Sequence, residues 1–593
     1  MKNAWSIKQW GVLLLCAVTL SACSAKSGTS SGEGTSTATG ATAVQSSEAA
    51  TNVQLASVDL TEKIEYDDDD AYTDWSAANP TVIKLSGASA TVDGSGAEAK
   101  GGTITITAAG TYAVSGKLDE GQIVVNVPDK GVVRLVLNGA EIHNSSSSAI
   151  YVEEAGKTII SLPEGTENVV SDGTAYVYPD ASTDEPNAAI FSKDDLTING
   201  TGKLVVEGNY NNGITSKDDL KITGGALEIH AKDDGLMGRD LVAVQEGDIT
   251  VEAGGHGIKT TNDAEDSLGV IAVAGGTFDI DSGEDALHSS GGIQIAGGNF
   301  AIAAGDDGIH ADVAIAIAGG TIDIANSNEG IEAPTIAISD GKISVVASDD
   351  GVNVAGGSDE TAAADGPPGG NESGADSGRK LTISGGYLAV DAQGDGLDAN
   401  GSIEMTGGTV IVNGPTENGN GALDYDGTFV MTGGFLVAAG SSGMAQATSE
   451  QSTQSGVLMT YPQTQQAGTI VHLEDSDGNA IITFAPSKNY QSVFVSSPNL
   501  KKDASYALYS GGASTGNDAN GLYDGGEYQG GTKVVEYTVS SVVTWLNESG
   551  VTEARSGMMG GGGGPGGGNR GQGGGGGDRM PPDGNGERPQ RVQ

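Results

Sequence analysis

The chain is poor in cysteine, in basic residues, in aromatics and in long apolar runs, and each shortage excludes something. Of the two cysteines in 593 residues, Cys16 lies inside an N-terminal apolar stretch and Cys23 just beyond it. No internal disulfide framework therefore holds the body together. Lysine and arginine total 29 against 78 acidic residues, a formal net charge of −49. That excess repels phosphate backbones and anionic bilayers, which argues against nucleic acid as a partner and for cations. Aromatics are only 5% of the residues, so flat stacking platforms must be few. No segment carries a helical apolar period. No His-Glu-x-x-His pair is present, which removes one common hydrolytic arrangement.

What is there begins with the termini. Met1-Lys2-Asn3, the apolar run from Gly11 to Leu20 and the small-residue exit Ser21-Ala22-Cys23 read as a secretory signal over residues 1–22, too short for a membrane span. Leu20-Ser21-Ala22-Cys23 resembles the bacterial lipobox. The resemblance implies cleavage before Cys23, its lipidation, and an exported protein held to the outer face of the cell membrane by that lipid alone. Residues 23–79 read as a flexible tether that opens on a Ser, Thr, Gly and Ala-rich stretch. Residues 549–593 read as a Gly-rich disordered tail.

Between the ends runs a repeat. Asn211-Asn212-Gly213, Asp233-Asp234-Gly235, Gly255-His256-Gly257, Glu284-Asp285-Ala286, Asp306-Asp307-Gly308, Asn328-Glu329-Gly330, Asp349-Asp350-Gly351, Gly394-Asp395-Gly396 and Asn420-Gly421-Ala422 recur at about 22 residues outside two longer connections. Glycine pairs such as Gly275-Gly276 and Gly297-Gly298 run in phase with them. Intervening segments such as Ala226–His230 and Thr277–Asp281 alternate with period two, so each repeat holds about three short strands turned by glycines that supply positive φ. Strands this short complete their hydrogen bonds on the next coil. The expectation is an all-β fold, a right-handed parallel β-helix of coils of about 22 residues over 191–450. A loop is inserted at 356–379, and β caps cover 80–190 and 451–548.

The acidic turns carry the chemistry. Asp194, Asp195, Asp218, Asp219, Asp233, Asp234, Asp285, Asp306, Asp307, Glu329, Asp349 and Asp350 should form a self-repelling column about 5 Å from coil to coil. Two readings of that column are open. Calcium, with six to eight flexible oxygen ligands, would bridge it; alternatively, the aspartates cap their own turns. Two residues past most of the turns a second row follows, His288, His310, Glu332, Asn353, Asp398 and Asp424. Zinc on His288 and His310 would find only two imidazoles in this row, so the row reads as a polar outer face suited to sugar hydroxyls, His310 and Asp398 among its contacts. Tyr210 and Tyr425 are the surface aromatics that would stack on a sugar, whereas Phe278, Phe300 and Tyr387 fall on alternating core positions. Lys193, Lys217, Lys232, Arg239 and Lys259 sit near acidic turns as ion-pair partners or, for Lys217 in particular, as a base for lyase chemistry.

Gly110–Leu118, Asn187–Gly202, Gly208–Leu220, Ser496-Ser497-Pro498 and Tyr506–Gly512 resemble, in order, the bacterial carbohydrate-binding-domain β-helix lipoproteins, over roughly residues 80 to 540. The resemblance implies a pectate-lyase-like fold, calcium, and binding of polysaccharides such as cellulose and polygalacturonate. It places metal most plausibly at Asp194, Asp195, Asp218, Asp219, Asp233 and Asp234. The chain departs from the family pattern at His256, where neighbouring coils carry aspartate. The combined expectation is a monomeric, lipid-anchored, calcium-stabilised polysaccharide binder. A calcium-dependent uronan lyase and a purely structural envelope or adhesion rod are the alternatives.

Overall fold

The computed structural model describes residues 64–180, 182–264, 269–355 and 378–554. The expected signal peptide, Cys23 and nearly all of the inserted loop and Gly-rich tail lie outside the described residues.

Period-two alternation becomes strand throughout. Thr277–Ser282 alternates exposed and buried positions without exception, and Glu167–Asp172 nearly so. The chain makes a short strand, a second and a third, then returns to pair in parallel with its own previous pass. Leu287–Ser289 pairs with Ile309–Ala311, Gly292–Ile295 with the start of Ala314–Asn326, and Asn299–Ala304 with its remainder. Each pass therefore lies in register on the one before, which puts like residues on like. Ile214, Leu236, Ile258, Leu287, Ile309, Ile331, Val352, Leu397 and Leu423 form one such column. All nine are at most 1% exposed. Phe278 and Phe300 stack in another column with ring centroids 4.4 Å apart, inside the core as expected. Register also survives the insertion, since Val352–Val354 pairs with Leu397–Ala399 across it.

The two glycine rows do different jobs. Gly225, Gly276, Gly298, Gly320, Gly386, Gly408 and Gly434 hold positive φ, as expected. The turn glycines do not; there the requirement is space. A Cβ on Gly351 would lie 2.2 Å from Val390 Cγ1 and 2.7 Å from the Gly396 carbonyl, and one on Gly330 would meet Val345 and Gly351 equally closely. At these passes the facing valine and the neighbouring carbonyl leave no room for a Cβ, whereas Ala286 and Ala422 fill the same corner on other passes.

The parallel ladders end where direction reverses. At the N-terminal end Thr81–Gly87 pairs antiparallel with Ser89–Asp93, and Ala97–Lys100 with Thr103–Ile106, before the parallel passes begin. At the other end Tyr490–Ser496 runs antiparallel to Phe435–Gly440. A separate six-stranded sheet over residues 471–538 then builds its own core around Val471, Phe484, Leu508 and Tyr537.

The tether ends earlier than residue 79. Asp68–Ala71 is a four-residue helix whose N-cap, Asp67, accepts from the amides of Asp69 and Asp70. It docks on the outer side of the ladder. Asp70, fully buried, accepts from Lys157 Nζ at 2.9 Å and Thr197 Oγ1 at 2.7 Å. Arg134 donates to the Tyr72 carbonyl, Asn199 and Thr223 to the Asp70 carbonyl, and Lys221 to the Glu65 carbonyl. An apolar-poor segment holds here because its carboxylates and carbonyls meet a row of donors supplied by successive passes.

Gly351→Ala is expected to lose about 1–3 kcal/mol of stability through overpacking, measured by chemical denaturation. Asp70→Ala, which leaves the Lys157 ammonium with Asp67 as its one remaining carboxylate partner, is expected to cost about 1.5–3 kcal/mol in the same assay.

Candidate functional site

The turn that precedes most of the short strands carries a polar residue at its second position that points into the stack. Its side chain accepts from the backbone amide of the equivalent residue one pass on. Asn212 caps the Asp234 amide at 3.2 Å, Asp234 that of His256 at 3.1 Å, Asp285 that of Asp307 at 2.8 Å, Asp307 that of Glu329 at 3.0 Å, and Asp350 that of Asp395 at 2.6 Å. At this inner position the carboxylates cap the following pass rather than their own turn, which neither sequence reading anticipated. Their charges are nonetheless crowded. Burial, with Asp395, Asp349 and Glu329 around it, lifts Asp350 to about 7. Burial and Asp307 lift Glu329 to about 8.

The outer row is in register as expected. Lys259, His288, His310, Glu332, Asn353, Asp398 and Asp424 follow one another on successive short strands. Inner and outer rows converge into sets of groups whose ligating atoms all lie within 4.8 Å of each other: His256, Asp285 and His288; Asp285, Asp306 and Asp307; Asp307, His310 and Glu332; Asp395, Asp398 and Asp424. In the last set burial and the neighbouring Asp350, Asp395, Asp424 and Asp426 push Asp398 up to about 8, and burial pushes Asp395 to about 6. Three oxygen-only groups that resist carrying full charge together match a hard cation.

His310 is 1% exposed, so it faces its neighbouring carboxylates and not solvent, contrary to its expected place on an accessible sugar-binding face. Burial lowers its basicity, but hydrogen bonds from the ring to Asp307, Asp312 and Glu332 outweigh that and raise it. His256 does the opposite. Burial, with Lys259 and His288 nearby, lowers it to about 3. The Asp285 amide donates to its Nδ1, so the neutral ring carries its hydrogen on Nε2, 3.0 Å from Glu284. The sequence singled His256 out only as a departure from aspartate; its approach to His288 is a product of the fold.

The first coils are arranged differently. Asp194 accepts from the Ala155 amide and from Lys130 Nζ, each at 2.8 Å. Asp195 accepts from the Asp219 amide at 3.4 Å, and Asp219 lies 3.5 Å from Lys221 Nζ. Asp218 is lifted to about 6 by burial and by Asp195, Asp240, Asp194 and Asp219. Asp234 faces Lys259 at 3.6 Å, while Asp233 and Asp349 sit in the outer half of their turns. Lys217 pairs with Glu185 at 2.7 Å. Tyr210 stacks on Tyr176 with centroids 4.2 Å apart, with Tyr178 edge-on to it. Tyr176, Tyr178 and Glu185 belong to a connection that carries no repeat signature, so nothing in the sequence marks them. Tyr425 is committed elsewhere, its hydroxyl donating to the Ala447 carbonyl at 2.6 Å and its ring edge-on to Phe429.

Comparison with known proteins bears on the same region. Residues 100–351 match the family described as carbohydrate-binding domain-containing protein. A protein of that same description from Acetivibrio thermocellus is 43% identical over 128 residues, which is 22% of this chain and 45% of that one. This chain thus spans less than half the length of that relative. Among solved structures, the gadolinium derivative of a polysaccharide lyase-like protein from C. thermocellum is 33% identical. It covers 44% of this chain and 99% of its own, with a TM-score of 0.36.

Asp350, Glu329, Asp395 and Asp398 all have folded-state values above the unfolded carboxylate range. Their contribution to stability is complete below about pH 4 and is lost as pH rises through about 6 to 8. In EGTA the melting temperature is expected to fall between about pH 5 and pH 8.5. Asp398→Asn should flatten that fall.

Proposed function

We propose that this chain is an exported, lipid-anchored protein that binds polysaccharide on the stacked passes, with calcium bridging the acidic turn column. The passes are proposed to wind as a right-handed parallel β-helix, and the chain to act as a monomer. The observation that carries the reading is the coincidence of two independent facts. The carbohydrate-binding family match over 100–351 falls on the passes that present the Tyr176–Tyr210 stack and most of the turn column.

The stacked tyrosines offer an apolar face with polar edges beside the Lys217–Glu185 pair, the combination that a sugar ring's CH face and hydroxyls use. A uronate chain carries the same charge sign as this protein, so its retention requires a divalent cation between them. Asp395, Asp398 and Asp424 supply an oxygen-only donor set for calcium, with the other turn carboxylates of the column as further candidates. When bound, calcium would neutralise the crowded carboxylates and leave coordination positions for a uronate oxygen. We propose binding without lysis. In support, Lys217 is already paired with Glu185, and a base at that position would first have to lose its partner.

The test is retention of the chain on insoluble cellulose and on polygalacturonate, with calcium and with EGTA. Polygalacturonate retention is expected to require calcium and cellulose retention to persist without it. Tyr210→Ala should weaken both by about tenfold, or ~1.4 kcal/mol. An ultraviolet-absorbing unsaturated product from polygalacturonate that disappears in Lys217→Ala would establish the lyase instead. Failure to retain any glycan would leave a structural rod.

A further inference from the structure

Three of the chain's six histidines, His256, His288 and His310, fall on three consecutive passes, and the fold stacks their rings. The centroids of His256 and His288 are 4.4 Å apart and those of His288 and His310 5.2 Å, with planes inclined by 28° and 10°. Only two of them share a row; His256 comes from the turn, one pass earlier, and reaches across. Carboxylates are interleaved with the rings. Asp285 Oδ2 lies 2.8 Å from His288 Nδ1 and 3.6 Å from His256 Nδ1. Asp307 Oδ2 lies 3.1 Å and Glu332 Oε2 3.5 Å from His310 Nδ1.

These separations are those of ligands around a small metal ion. A tetrahedral centre with bonds near 2.0–2.1 Å holds its ligand atoms about 3.3 Å apart. Asp307 Oδ2 and Glu332 Oε2 each stand near that spacing from His310 Nδ1, and all three ligand atoms lie within 4.8 Å of one another. The environment is dry, with His310, Asp307 and Glu332 side chains 1%, 3% and 13% exposed. It is also short of positive charge, because Asp312 adds a third carboxylate 3.5 Å from His310 Nε2. The donor chemistry differs from that at Asp395, Asp398 and Asp424, where only oxygens converge. Imidazole nitrogen suits zinc, cobalt, nickel and copper and contributes little to calcium sites.

We propose that the histidine column is a transition-metal site, with His310, Asp307 and Glu332 as its tight ligand set and His288, Asp285 and His256 as an adjoining second set. The column thus changes its metal preference along its length, from a borderline divalent ion at the imidazole passes to a hard one at the all-carboxylate passes. The site stands apart from glycan binding and survives the failure of that reading. The plain alternative is that His310 is an imidazolium held by its carboxylates, with a proton where the metal would be.

The experiment uses the full chain stripped with EDTA and titrated with Zn2+ in a melting assay and with Co2+ in visible spectroscopy, both in excess Ca2+. The expected results are a melting temperature that climbs with Zn2+ concentration and a cobalt ligand-field band that Zn2+ removes and Ca2+ does not. His310→Asn should abolish both signals. Glu332→Gln and His288→Asn, at the partly open rim where folding is least at risk, should each weaken Zn2+ more than tenfold. Should His310→Asn not fold, the rim variants carry the test. A cobalt spectrum indifferent to the rim variants, displacement by Ca2+, or no Zn2+ response at all would each overturn the proposal, the last in favour of the imidazolium.

Discussion

Most strands in the body are too short to be stable with free edges, and their hydrogen bonds are completed by the equivalent strands one pass away. That pairing fixes register, and register dictates that equivalent residues stack on one another. For apolar positions the consequence is favourable without further arrangement: Ile293 lies on Ile315 and Ile315 on Ile336, and the core grows by repetition. For the turn positions it is a liability, because carboxylate must lie near carboxylate in a half-buried corner.

The structure meets that liability in several ways along one column. Asp234, Asp285, Asp307 and Asp350 spend one oxygen on the amide of the next pass, so part of each charge is held by a backbone dipole. Lys259 approaches Asp234, and imidazoles approach Asp285 and Asp307. At Asp395 and Asp398, where no basic side chain among the described residues comes close, the carboxyls hold their protons to higher pH. Stability and protonation are thereby one coupled problem on this face.

Positive charge is scarce in a chain with 29 basic residues, and its placement is informative. Arg134, Lys157 and Lys221 stand on the outer side of the ladder and are spent on residues 65–72. That acidic segment crosses several passes and ties them together. The arrangement explains why an Asp67–Asp70 run, which reads as a solvated tether, is held against the body: the carboxylates of Asp67, Asp69 and Asp70 and the carbonyls of Asp69, Asp70 and Tyr72 meet donors, and Asp70 is taken out of water entirely.

Much of this was legible beforehand. The 22-residue step, the alternating strands and the recurring turns determined the all-β class, the parallel passes, the core residues Phe278 and Phe300, and the outer row from His288 to Asp424, because each follows from periodicity that a single pass displays. What a single pass cannot display is which residues of different passes meet. Asp398 was readable as one position of a row, but its convergence with Asp395 and Asp424 depends on how two rows lean together. The turn glycines read as left-handed corners, yet Gly330 and Gly351 are required by the neighbouring backbone. Tyr425 and His310 read as outward residues and were covered, one by the chain near Ala447, the other by its own carboxylates. The sequence determined the repeat and its polarity pattern, which are local. The tertiary structure alone decided that Asp70 would be buried on Lys157 and that His256 would cross from the turn row to His288, since both depend on distances between residues far apart in the chain.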